Sequence, residues 1–383
     1  MAQIHQNGDH FVIYGYRRYL NPLRLHKKRA LLSYLPKPII DNMAGKKTVR
    51  FSNSGIVLSW ARVLNELGYV VDVVDWEDKT FRPGSAYDLV VFHGAKNFQN
   101  IYPVLAGSPR IIHFLSGSYW KFNNKAEDRR IADFEKRHGV KMPRDRYIFA
   151  NEDPVNEAAD GLVVLGDPSM RDTYPSKYPK VITINNASYP DKHHRHIERD
   201  YRQARKHFLF FAGSGNIHKG LDLLIDCFKD TEDLHLWIVT VLEQKFLDVY
   251  VKELVLPNIH LIGQVEMRDK QFYDAMDRCA YAILPSCSEG QAGSVVEAMN
   301  QGLIPIVSKE TRLDAHKYGV VLANTRIPTI RKMILEMSRL SPSTIYRMAS
   351  RMRQIVEKHH TPKSFRKELR KAIIEILSEK QQV

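Results

Sequence analysis

The chain has 383 residues, 44% of them apolar and 26% charged, a balance that excludes a disordered or collagen-like protein and allows two domains with a core each. Its formal charge of +14 favours anionic partners. Three cysteines, Cys227, Cys279 and Cys287, form no CxxC pair, so neither a disulfide framework nor a thiolate zinc site is expected, and a reducing compartment fits.

In chain order, FVIYGY at residues 11–16 reads as a strand, and the basic stretch behind it resists assignment. SGIVLSWARVLNELG has apolar positions at helical spacing, with Gly68 placed to end the helix, and YVVDVVDW follows as a strand. DLVVFHG and RIIHFLSG add two strands, residues 122–139 a polar helix, and DGLVVLGD and KVITINN two more strands. The alternation restarts at HFLFFAG, residues 207–213, and runs through KGLDLLIDCFKD, LHLWIVTV, NIHLIG, QFYDAMDRC, YAILPS, GSVVEAMNQG and LIPIVS. Short β-rich runs alternating with helices predict mostly parallel α/β sheets, and the restart predicts two doubly wound, Rossmann-like halves. The expected division is 1–195, 196–360 and a last helix, 361–383, returning to the first half, with a hinge in the polar stretch 187–207. Pro342 and Pro362 mark helix starts.

Charge is concentrated at the ends: residues 1–50 hold ten Lys or Arg against two Asp or Glu, and residues 331–383 thirteen against five. If these ends meet, one face is basic, and nucleic acid, anionic lipid, a phosphorylated acceptor or plain solvent are all open. The N-terminus lacks a signal-peptide pattern and no apolar run approaches the roughly 18–20 residues that span a bilayer, so a cytoplasmic protein is expected. Residues 24–40, RLHKKRALLSYLPKPII, place Lys27, Lys28 and Arg29 before apolar residues, which suits either shallow docking on an anionic membrane or an internal packed segment.

Two segments carry chemistry. FAGSGNIHKG, residues 211–220, lies between a predicted strand and helix; Gly213, Gly215 and Gly220 permit close backbone approach, Ser214 adds a hydroxyl, and Lys219 supplies a cation. That suits a diphosphate, although a structural turn would look the same. LPSCSEGQAGSVVEAMNQG, residues 284–302, puts Glu289 at a strand-to-helix turn and Glu297 eight residues on. Amides from Gly290, Gln291, Ala292, Gly293 and Ser294 fall at the helix start, where phosphate is favoured. Either carboxylate can accept from sugar hydroxyls.

In order and spacing, GSGNIHKG, LPSCSEG and Glu289-x7-Glu297 with AMNQG resemble the GT-B retaining glycosyltransferases often called family 4, or glycosyl transferases group 1, over most of residues 207–310. The resemblance implies two Rossmann-like domains facing a cleft and transfer of a sugar from a UDP- or GDP-linked donor, with retention, to a glycan or lipid-linked glycan. It implies no obligatory metal. Lys219 would meet the donor phosphates, Glu297 the ribose and Glu289 the transferred sugar, the catalytic group being Glu289, Lys219 and a histidine. Where family members commonly carry Arg, this chain has Ser214, so another cation must enter or donor affinity falls.

The first half says less. FSNSGIVLSW, residues 51–60, resembles the family's small-residue loop near donor phosphate, implicating Asn53 and Gly55 beside Ser52 and Ser54, but also reads as ordinary helix capping. His93, at a strand end, is preferred as the family's sugar-contacting histidine over His113, which suits a core. His193, His194 and His196 read as solvated linker rather than a metal site. A noncatalytic nucleotide-sugar-binding or nucleic-acid-associated protein is the alternative, but no RNA-binding signature supports the latter.

Overall fold

The computed structural model describes residues 2–17, 28–48, 50–178, 180–191, 199–313 and 319–378. The chain divides into two compact units, Met1–Ser116 with Phe149–Asn185 and Pro362–Val383, and Gly117–Ile148 with Asn186–Thr361.

The first unit holds eight strands, β1 (Gln3–Asn7), β2 (His10–Tyr16), β3 (Lys28–Tyr34), β4 (Tyr69–Asp75), β5 (Leu89–His93), β6 (Arg110–Leu115), β7 (Gly161–Leu165) and β8 (Val181–Ile184). Their order is β1-β2-β4-β3-β5-β6-β7-β8. β1 and β2 form an antiparallel margin, while β4-β3-β5-β6-β7-β8 run parallel. The helix Asn53–Glu66 connects β3 to β4, so that chain order reverses between β3 and β5. In open α/β sheets such a reversal opens a crevice at the strand C-termini. Gly68 ends the helix as the sequence suggests, with φ +94° and its N–H donating to the Asn65 carbonyl.

The helix Pro362–Ser378 belongs to this unit. Its Phe365 ring lies 5.0 Å from that of Phe51, its Ile376 carbonyl accepts from Arg110 at 2.7 Å, and Glu375 pairs with Lys180. Ile376 packs so tightly on β7 that a Cβ at Gly161 would meet it at 2.6 Å.

The stretch left unassigned after residue 16 contains β3, an interior strand between β4 and β5. Ala30, Leu31, Leu32 and Tyr34 are buried there, and Arg29 pairs with buried Asp72 at 2.6 Å. This corrects the membrane-docking reading of residues 24–40: the apolar residues after Lys28 and Arg29 are sheet core and not an exposed lipid-facing surface. Lys27 lies outside the described residues.

The second unit has six parallel strands, β9 (His207–Phe211), β10 (His235–Val239), β11 (Ile259–Leu261), β12 (Tyr281–Leu284), β13 (Ile304–Ser308) and β14 (Val320–Leu322), in the order β11-β10-β9-β12-β13-β14. This is the doubly wound order 3-2-1-4-5-6 of dinucleotide-binding folds, with its reversal between β9 and β12.

The polar helix predicted at 122–139 spans Trp120–His138 and lies in the second unit, whereas the sequence division at 195 assigns it to the first half. The physical reason is its sparse apolar stripe: Ile131 and Phe134 enter the core formed with Phe228, Phe246 and Tyr250. Arg137 adds ion pairs with Asp222 and Asp226.

Residues 187–207 likewise do more than link. The Ser188 N–H donates to the His360 carbonyl at 2.8 Å. Buried Arg199 donates to the carbonyls of Met276, Asp277, Gln301 and Gly302, closing the ends of the helices Lys270–Arg278 and Gly293–Asn300. His193, His194 and His196 lie outside the described residues. The basic C-terminal run is divided between the units at residue 362.

Candidate active site

The two chemical motifs leave neighbouring strands: FAGSGNIHKG follows β9 and LPSCSEGQAG follows β12, which pair in the sheet. Sheet topology thus joins segments some seventy residues apart, flanking the crevice of the second unit.

After β9, the Gly213 carbonyl accepts from Thr240 Oγ1 at 2.7 Å, and Gly213 and Ser214 are exposed. Gly215 has φ +98°, and its N–H donates to Glu243 Oε1 at 2.9 Å, while Asn216 and Glu243 bond to each other's backbone. Gly220 has φ +79°, and a Cβ there would meet the Pro285 carbonyl at 2.7 Å, so only glycine lets the two loops approach. The helix Leu221–Phe228 begins at this point.

Lys219 and Glu289 meet across the motifs: their side chains, 10% and 12% exposed, form an ion pair. Ser286 Oγ donates to the same Glu289 oxygen at 3.1 Å. Burial alone would raise the Glu289 pKa; Lys219, then His218 and Arg146, override it and hold the carboxylate ionised below its ordinary range. His218 is pushed down to about 4 by burial, against Glu289 and the Ser288 carbonyl, which receives its ring at 2.6 Å. The site therefore holds a neutral imidazole beside an ionised pair near pH 7.

The helix Gly293–Asn300 starts after β12 from Ala292 without a side-chain cap. The Gly293 and Ser294 N–H groups find no acceptor among the described residues. They present the positive end of a helix to the crevice. The Gln291 amide is committed to structure, receiving the Asn186 N–H on its Oε1 at 2.7 Å. Gly290 is buried.

Glu297 is buried one helical turn on. One oxygen accepts from Ser188 Oγ and the other from Arg268 at 3.2 Å. Arg268 has the left-handed φ of +66° and also donates to the Tyr189 carbonyl at 2.6 Å. Arg268 Nε also reaches that second Glu297 oxygen, at 3.4 Å, so of the carboxylate's roughly four acceptor positions about one remains for a ligand hydroxyl. Arg268, Ser188 and Glu243 escaped the sequence reading because they lie on loops without a motif, and only the fold brings the first two to Glu297 and the third to the glycine-rich turn.

In the first unit, His93 stands at the C-terminal end of β5, beside the β3/β5 reversal. Its ring lies 4.1 Å from Tyr34, 5.1 Å from Trp76 and 5.4 Å from Phe114, and Nδ1 bonds the Phe114 carbonyl at 3.1 Å. Burial lowers its pKa to about 4. Lys96 sits over Trp76 at 4.6 Å. His113 is a core histidine on β6, fully buried and bonded to Asn156 at 2.7 Å.

Asn53 is exposed at the start of the helix Asn53–Glu66, whose preceding Ser52 makes no side-chain cap. Gly55 has a packing reason to be glycine: a Cβ would stand 2.8 Å from the Phe51 ring. Among the described residues, no group of three or more His, Cys, Asp or Glu could hold a metal ion. No described helix is long and apolar enough to cross a membrane.

Residues 195–315, which contain both strand-end motifs, match the family described as Glycosyl transferases group 1. That match covers about a third of the chain, and the fold as a whole has the GT-B architecture of two α/β units built on mostly parallel sheets. Among solved structures it is similar to sucrose-phosphate synthase from Thermosynechococcus elongatus, at 12% identity and TM-score 0.62 over 91% of this chain and 98% of that one. It is also similar to Anabaena HepE in complex with UDP and glucose, at 12% identity and TM-score 0.54 over 92% and 100%. A further match is the S. aureus TarM G117R mutant in complex with fondaparinux, alpha-GlcNAc-glycerol and UDP, at 13% identity and TM-score 0.54 over 99% and 76%. At these identities the likeness is one of fold. No curated protein matches by sequence.

Proposed function

We propose that this chain transfers a sugar from a UDP- or GDP-linked donor to a glycan or lipid-linked glycan, with retention of anomeric configuration. The observation that carries the reading is the convergence of Lys219, Glu289 and the free Gly293 and Ser294 amides on the β9/β12 reversal. Similar structures bound to UDP and to sugars support it.

In this reading the diphosphate lies between the glycine-rich turn and the start of the helix Gly293–Asn300. Lys219 and the two amides stabilise the charge that grows on the leaving diphosphate, where preorganised donors act most strongly. Glu297 accepts from a ribose hydroxyl and Glu289 from a hydroxyl of the transferred sugar. Glu289, already paired with Lys219, orients the sugar and couples its position to the phosphate-binding cation. The acceptor attacks from the face the diphosphate leaves, and a phosphate oxygen takes its proton. His93, neutral among rings, contributes a hydrogen bond to sugar. No resident metal is required.

The domain assignment for donor and acceptor follows: the second unit holds the donor and the first the acceptor side. The enzyme is proposed to work in the cytoplasm, reaching an anionic membrane through surface charge alone. Vesicle cosedimentation that rises with anionic lipid and falls with salt would support the last point.

The deciding experiment is a screen of UDP- and GDP-sugars by binding and product mass with lipid-linked and free glycans, followed by NMR of the new linkage. A product of inverted configuration removes the proposed mechanism. Glu289→Gln should lower transfer far more than binding of the nucleoside diphosphate.

A further inference from the structure

Two cations reach the donor site already half spent. Lys219 is paired with Glu289, and Arg268 with Glu297. The His218 ring is neutral near pH 7. A nucleoside diphosphate brings a charge of about −2 to −3, so these pairs add little net positive charge to oppose it. Ser214, exposed on the turn, adds none.

Arg146 is different. Its side chain lies directly against the glycine-rich turn: a Cβ on Gly215 would stand 2.7 Å from Arg146 Cγ and 3.0 Å from Cδ. It is exposed, and its guanidinium makes no ion pair with any described carboxylate. Its field nevertheless acts on both Glu289 and His218.

The segment that carries it is fastened with unusual care. Fully buried Glu127 accepts the N–H groups of Asp145 and Arg146 on one oxygen, at 2.9 and 2.8 Å. Buried Asn123 donates to the Arg146 carbonyl at 2.9 Å, and buried Asn124 both accepts from and donates to the backbone of Ile148, at 2.8 and 2.9 Å. Three buried polar side chains on the helix Trp120–His138 thus fix a four-residue loop. Burying such groups is costly unless they are bonded, and, Glu127 Oε2 apart, their bonds go to the backbone that presents one arginine held in no ion pair.

The charge of Arg146 is felt by Asp145 and Glu289, but among the described residues it is held in no ion pair. We propose that Arg146 is the further cation of the donor site, reaching over Gly215 to the diphosphate, and that Glu127, Asn123 and Asn124 are its positioning residues. This inference rests on the reading of the site as a nucleoside diphosphate site. Gly215 is then required twice, for its left-handed backbone and because any Cβ would displace the arginine.

The test is titration of UDP, UMP, GDP and GMP into the wild-type chain and into Arg146→Ala, Arg146→Lys and Lys219→Ala, with thermal melts to confirm folding. Arg146→Ala should weaken the preferred diphosphate about tenfold, leave the corresponding monophosphate within about twofold and flatten the salt dependence. Arg146→Lys should restore part of the loss. A wild-type chain that binds neither diphosphate overturns the nucleotide-site reading and this inference with it. If the wild type binds, Lys219→Ala weakens binding and Arg146→Ala keeps the wild-type diphosphate preference, this inference alone falls.

Discussion

The two strand-order reversals of this protein are furnished in opposite ways. After β9 and β12 the loops and helix carry Lys219, Glu289 and Glu297, largely buried and close to free amides, with Arg268 reaching Glu297 from the loop after β11. At β3/β5 they carry the rings of Tyr34, Trp76, His93 and Phe114, with the imidazole held neutral. The same topology therefore makes two chemically distinct strand ends, the second carrying half-buried His93 and Trp76 over the buried rings of Tyr34 and Phe114. In the function proposed above, ion pairs with spare amides answer a diphosphate and a neutral hydrogen-bonding imidazole answers a sugar. A parallel sheet supplies the place, and the loops supply the chemistry.

The strongest way to break this contrast is Lys219→Met. It strips a buried carboxylate of its partner, so nucleoside diphosphate affinity should fall about a hundredfold and urea stability by roughly 3–5 kcal/mol. The double variant Lys219→Met/Glu289→Gln should regain much of the stability and none of the affinity. Recovery of affinity would show that Lys219 is structural.

Next comes His93→Ala, which should lower sugar transfer about ten- to a hundredfold while UDP or GDP titrations stay within twofold of wild type. An equal loss in both measurements would erase the division of labour between the two strand ends.

Acid should expose a cost shared by both units. Burial lowers His113 to about 3, His93 and His218 to about 4, and His360 to about 4. An imidazole whose folded pKa lies below its unfolded value of about 6.5 stabilises fully above that value and loses the contribution as pH falls toward the folded pKa. Between pH 7 and 5 a fully buried case such as His113 contributes a loss of about 2 kcal/mol. Urea midpoints should drop over that interval, and His113→Gln should flatten the slope.

The smallest effect distinguishes two readings of the segment 51–55. Gly55→Ala should cost about 1–2 kcal/mol by pushing Phe51 against Phe365, with nucleotide binding unchanged. A selective loss of binding without destabilisation would instead place this loop at the donor phosphates.

Periodicity made most strands and helices legible, and Pro342 and Pro362 do open the helices Pro342–His359 and Pro362–Ser378. β3 was obscured because its strand signal sits between basic residues and two prolines, and an interior strand needs no alternation. The helix Trp120–His138 was legible as a helix but not in its allegiance, which depends on where Ile131 and Phe134 find partners. In the site, Lys219 and Glu289 were visible from local spacing, whereas their mutual pairing required the β9/β12 register. Arg146 was invisible, because nothing near it in sequence marks an arginine as held in no ion pair.

The chain passes between its units at residues 116/117, 148/149, 185/186 and 361/362. During synthesis, the first unit therefore has to wait for its last piece: β7 and β8 leave the ribosome long before the helix Pro362–Ser378 whose Ile376 seals β7 and whose Glu368 accepts the Asn185 N–H at 2.7 Å. The second unit can close as soon as residue 361 emerges, since its early piece, residues 117–148, is already made. Vectorial production thus favours completion of the second unit before the first, reversing the usual order. A ribosome stalled to expose residues up to 361 should yield a chain whose second unit resists protease while the margin of the first at β7 and β8 is cut.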